Sequence, residues 1–174
     1  MMDGLIDKDS FAQQLQSLWS IESMLVEAMP RMIQKVSNLG LQKNLALHFE
    51  ETRQHKVAIE AICKGLDIDP TKGEPYTALQ NILQEGEQAM LNQSSGDALD
   101  NAIIEAAQKI EQCEIAAYEP AGNSARELGH EGIAKRLFLT LEEERQSETK
   151  LKFLQKSLFS ERALIGERQE QAAS

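Results

Sequence analysis

Glu22, Glu51, Glu111, Glu114, Glu144 and Glu148 all fall within apolar stripes that repeat at steps of three and four residues. The first stripe runs Phe11, Leu15, Leu18, Glu22, Leu25, Met29, Met32, Val36. A second runs Leu41, Leu45, His48, Thr52, His55, Ile59, Ile62, with Glu51 on the same side. In a third, Leu99, Ile103, Ala107, Ile110, Glu114 and Ala117 are joined by Glu111 one turn before Glu114. The last is Ile133, Leu137, Leu141, Glu144, Glu148, Leu151. Residues three and four apart share one helix face, so these acids point into a core. An unpaired buried carboxylate costs several kcal/mol, and buried charges are therefore paired or bound to metal. The stripes offer His48 and His55 as the only nitrogen ligands and no Lys or Arg as counter-ions. A metal centre satisfies them most simply.

Four long helices must position these groups. The spacing predicts helices over residues 8–38, 42–64, from a cap at Ser95 or Asp97 to Leu128, and 131–159, with a shorter one over 76–91 in the crossover between the second and third. Gly40 suits a left-handed cap at the end of the first helix, Pro30 should bend that helix, and Pro120 with Gly122 should break or kink the third long one. Residues 69–75, rich in Pro and Gly, form a loop. The expected fold class is all-α, a four-helix bundle with an additional short helix. It occupies residues 1–160, followed by a flexible charged tail over 161–174.

In antiparallel neighbours the helix midpoints lie at one level. Glu22, Glu51, Glu111 or Glu114, and Glu144 therefore converge, as do the carboxylates that bridge two ions in di-iron and di-manganese bundles. In that arrangement Glu51 with Glu114 or Glu144 bridges, Glu22 and Glu148 are terminal, and His48 or His55 completes one side; either histidine equally serves as hydrogen-bonded support.

Several runs resemble the bacterial stress-protein family of YciE and YciF. They are Leu18-Trp19-Ser20-Ile21-Glu22, His48-Phe49-Glu50-Glu51-Thr52, the stretch from Ala106 through Glu111 and Glu114 to Tyr118, Leu128-Gly129-His130, and Thr140-Leu141-Glu142-Glu143-Glu144. The resemblance covers residues 11–154. It implies a ferritin-like, rubrerythrin-type bundle, commonly a homodimer, with a di-metal site and a link to stress. It implies no defined reaction. The chain departs from the usual ferritin-like pattern in having Glu-x-x-His on no helix, and Ser20, Gln112 and Cys113 stand where relatives often carry Asp, His and Tyr. So acid-rich a site favours hard cations, two iron ions first, with manganese or zinc as alternatives.

A formal net charge of −10 speaks against nucleic acid and anionic membranes as partners. With neither a signal peptide nor an apolar run long enough for a membrane span, a cytoplasmic protein is expected. Cys63 and Cys113 read as buried thiols. Tyr118 either packs in the core or hydrogen-bonds a ligand; His130 reads as structural, and Glu142 and Glu143 as solvated flanks of Glu144. No nucleophile constellation or phosphate loop is visible. Three readings remain: a di-iron centre reacting with peroxide or oxygen, a metal-stabilised structural protein without turnover, or an apo bundle whose acids are protonated or water-linked.

Overall fold

The computed structural model describes residues 7–173, and within them every regular element is helical. Residues 1–6 and Ser174, which belong to the expected domain and tail, lie outside the described residues. The helices are α1 (Lys8–Lys35), α2 (Leu39–Gly65), α3 (Thr77–Asn92), α4 (Asp97–Glu127) and α5 (Glu131–Ala173), with a short 3-10 turn at Pro70–Lys72. Four long helices form an all-α bundle, and α3 lies in the crossover, against α4 and α1. Among the described residues no helix is long and apolar enough to cross a membrane.

Asp7 caps α1 by accepting from the Ser10 amide at 2.6 Å. The turn into α2 is made differently from the sequence expectation. Gly40 lies inside α2, while Asn38 caps that helix by accepting from the Leu41 amide at 3.0 Å. The buried Asp100 of α4 accepts from the amides of both Ser37 and Asn38 at 2.8 Å, so a side chain from across the bundle sets the corner.

Pro30 and Pro120 both lie within continuous helix. Each removes one backbone donor. Around Pro120, buried Tyr118, Ala121 and Ala125 keep α4 packed, and helix stability in proteins comes mainly from such packing. Gly122 serves close approach: a Cβ there would stand 2.7 Å from the Phe138 ring of α5. Helix α5 also continues to Ala173, past the end of its apolar stripe.

The apolar core is divided. One cluster gathers Leu25, Met29, Leu41, Leu99 and Ile104, and the other Phe11, Leu15, Ile59, Tyr118 and Leu137. Between them lies a polar layer.

Candidate metal centre

The polar layer consists of Glu22 from α1, His48 and His55 from α2, Glu111 and Glu114 from α4, and Glu144 from α5, all buried. Each stands in its helix where an apolar residue would complete the stripe. His48, Thr52 and His55 follow at four and three residues, so one face of α2 presents both imidazoles.

These side chains form two groups. His48, Glu111, Glu114 and Glu144 bring one ligand atom each within 4.8 Å of one another, as do Glu22, His55 and Glu144. Glu144 belongs to both and divides its oxygens between them. Its Oε1 lies 2.9 Å from His55 Nδ1, and its Oε2 3.9 Å from His48 Nε2. His48 Nε2 further faces Glu111 Oε1 at 3.3 Å and Glu114 Oε2 at 3.7 Å. His55 Nδ1 faces Glu22 Oε1 at 3.8 Å.

The outward nitrogens are held by other residues. His55 Nε2 lies 2.6 Å from Glu143 Oε2. The Ser147 hydroxyl donates to Glu111 Oε1 at 2.7 Å and stands 3.4 Å from His48 Nδ1, where its lone pair can accept. With the outward nitrogens so engaged, each ring, once neutral, would turn its lone pair inward, the arrangement that orients metal-bound histidines. Tyr118 donates its phenol to Glu22 Oε1.

What the acids lack is donors. Both oxygens of Glu114, Glu144 Oε2, Glu22 Oε2, Glu111 Oε2 and His48 Nε2 are buried without a hydrogen-bond partner, and Glu144 Oε1 and His55 Nδ1, 2.9 Å apart, have no partner beyond each other. Buried polar atoms in folded proteins are nearly always satisfied, so such a concentration requires an explanation. Burial accordingly pushes Glu22 up to about 7 and holds Glu111 and Glu114 well above the usual carboxylate range. Burial acts on Glu144 in the same sense, yet His55 and His48 beside it draw its carboxyl below the ordinary value. Both imidazoles, although burial opposes it, are raised by the facing acids, Glu111 acting most on His48 and Glu144 on His55. Without a cation, protons hold the layer together.

Two expected ligands stand apart from these groups. Glu51 is 41% exposed, with Oε2 3.7 Å from His48 Nδ1, because the next residue, Thr52, occupies the stripe position. Thr52 turns its hydroxyl to the His48 carbonyl at 2.9 Å. Glu148 pairs with Lys152 at 3.0 Å and accepts from Gln112 at 3.3 Å, while its neighbour Ser147 faces inward. Glu143, expected to be solvated, supports His55 across 88 residues of chain, a separation that leaves no local signal. Ser147 carried one: it lies three residues after Glu144, where Glu-x-x-His would place histidine. His130 stacks on Phe11 as a structural residue, its ring centroid 6.1 Å away.

Residues 7–164 match the family described as a domain of unknown function, DUF892. The chain belongs to this family. It is 30% identical over 144 residues to Protein YciF of Escherichia coli (strain K12), covering 83% of this chain and 87% of that protein. The crystal structure of the E. coli stress protein YciF superposes with a TM-score of 0.83 at 28% identity, covering 91% of this chain and 99% of the other. YcfI of Rhodopseudomonas palustris, provisionally described as a structural protein, matches with a TM-score of 0.77 at 28% identity, over 87% of this chain and 97% of that one. The protein is thus a YciF-like bundle whose buried His and Glu groups could hold a metal ion.

Proposed function

We propose that the polar layer is a dinuclear metal centre, with Glu144 shared between two ions. His48, Glu111 and Glu114 would hold one ion, and Glu22 and His55 the other. Glu51 and Glu148 stand at its edge and reach it only by rotating inward. The observation that carries this reading is the set of buried carboxylate oxygens and inward imidazole nitrogens without partners, divided about Glu144. A donor set rich in carboxylate, with few imidazoles, suits iron first and manganese next; zinc is satisfied by fewer ligands.

Bound there, two redox-active ions would supply electrons to dioxygen or peroxide. The chain's own part is to fix the ligands, exclude bulk water and hold protons close by. Tyr118 donates its proton to Glu22 and so holds one beside the layer, and Ser147 donates to Glu111 at a second position. A homodimer would be the assembly in which a second copy covers exposed apolar side chains such as Leu47, Val57, Leu139 and Phe153. Buried free thiols at Cys63 and Cys113 suit a reducing cytoplasm, where such a protein would answer stress.

Elemental analysis by mass spectrometry after anaerobic iron loading and desalting tests the reading. It requires about two ions per chain, one per ligand group, and a content near zero would defeat it. A metal-stabilised structural protein is the second reading, favoured by the scarcity of imidazole and by the description of the R. palustris relative. Consumption of peroxide by the loaded protein would exclude it.

A further inference from the structure

A cavity of about 400 Å³ lies between α1, α3 and α4, walled by Met24, Met32, Leu83, Met90, Ile103 and Ile110. Beyond it lies a second space of about 10 Å³, bordered by Met29, Leu45 and Ala107 and ending on His48 and Glu111. Met32 and Ile110 line both, so the wide cavity and the narrow one adjoin at these two side chains. Glu27, Gln80, Gln84 and the Arg31–Glu87 pair, whose side chains are half exposed, also line this outer cavity, so its wall is apolar only in part.

The geometry points to this pair of spaces as the route by which dioxygen reaches the metal centre, an inference that rests on the dinuclear reading above. Size decides the first part. The inner space holds about one water-sized probe, so an organic substrate cannot pass, whereas a molecule of two or a few atoms can. Lining decides the second. Short of His48 and Glu111 the inner walls are thioether and hydrocarbon, and a solute that hydrogen-bonds strongly with water loses those bonds on entering. Hydrogen peroxide is such a solute and dioxygen is not. Apolar cavities stay dry and take up apolar gases, as engineered cavities that bind xenon show. Methionine, unbranched and readily re-packed, suits a wall that must yield briefly. Helix α3 forms one side of the outer cavity and buries only Leu79 and Met90, so that side is lightly anchored.

Gly86 of α3 lines the outer cavity, and a Cβ there would stand 3.6 Å from Ala106 Cβ, an ordinary contact. Gly86→Leu therefore fills the space from a helical position where leucine is the better helix former. The test combines xenon-pressurised crystals with stopped-flow oxidation of the ferrous-loaded protein, for wild type and Gly86→Leu. In the oxidation each pair of ferrous ions would give two electrons to dioxygen, which takes up two protons to become hydrogen peroxide. That polar product leaves, and added peroxide enters, by the polar side of the layer, where Glu51 and Glu143 are partly exposed. Xenon should occupy the wild-type cavity and be displaced in the variant. Iron content should be equal in both. Oxidation by dioxygen should slow by about ten-fold or more, and oxidation by added peroxide should be unchanged. Iron bound normally with xenon absent from the wild-type cavity, or with dioxygen oxidation as fast in the variant, overturns the inference alone. Equal slowing with both oxidants overturns the assignment to dioxygen. Iron absent from both proteins defeats the dinuclear reading and takes this inference with it.

Discussion

Asp100 and Glu114 sit on the same helix, both almost wholly buried, and they have opposite surroundings. Each Asp100 oxygen accepts a backbone amide at 2.8 Å, from Ser37 and from Asn38. Neither Glu114 oxygen has a partner, and its neighbours are acids and one imidazole. A carboxylate buried to hold a structure comes with its donors. One buried among other carboxylates, without donors, could hold a cation instead. The contrast separates architecture from function within a few turns of α4.

Its largest expected consequence concerns metal removal. Ions bound at a thousand times their dissociation constant stabilise the fold by about 4 kcal/mol per site, so chelation should lower the thermal midpoint sharply; a midpoint unmoved by chelation breaks the contrast. Next comes Asp100→Ala, which removes two hydrogen bonds to a charged acceptor and should cost about 3 kcal/mol. Chemical denaturation should show that loss equally with and without metal. Glu114→Leu should act in the opposite direction, stabilising the metal-free protein by about 2 kcal/mol, because a buried acid without hydrogen-bond donors gives way to a hydrocarbon. Iron binding should fail in the same variant.

pH should expose the same opposition. Glu22, raised to about 7, keeps in the folded state a proton that the unfolded chain releases from pH 4.5 upward. The stability of the metal-free protein should therefore fall as pH rises from about 4.5 through 7, and further as Glu111 and Glu114 ionise. The raised imidazoles add to this: their contribution is complete below 6.5 and is lost above it. Glu144, lowered, works in the other sense, its contribution fading as pH drops below 4.5. Thermal melts across pH 5–8 should slope downward without metal and flatten with it; a rising slope in the metal-free protein contradicts the assignment. The smallest effect is expected at Glu143→Gln, which weakens the hold on His55 and should reduce metal affinity by about ten-fold, leaving stoichiometry intact. Titration calorimetry would measure it.

Much of this was legible in the stripes. Leu18, Glu22 and Leu25 in one register, and Ile110, Glu114 and Ala117 in another, announce an acid facing the core wherever the helices meet. What the pattern could not resolve was phase. Glu51 beside Thr52, and Glu148 beside Ser147, differ by one residue, which is about 100° around a helix, and both members of each pair are polar. Only packing chooses between them. The same holds for Gly40, Pro30 and Pro120, read locally as breaks, where buried neighbours and the Asp100 carboxylate decide the backbone. Glu143 and His55, 88 residues apart, meet only once α2 and α5 are folded.

The most direct measurement is an anomalous difference map at the iron edge from crystals of the iron-loaded protein. Two peaks are predicted, flanking the Glu144 carboxylate, one against His48, Glu111 and Glu114 and the other against His55 and Glu22. A single peak, or density lying away from Glu144, would contradict a shared centre.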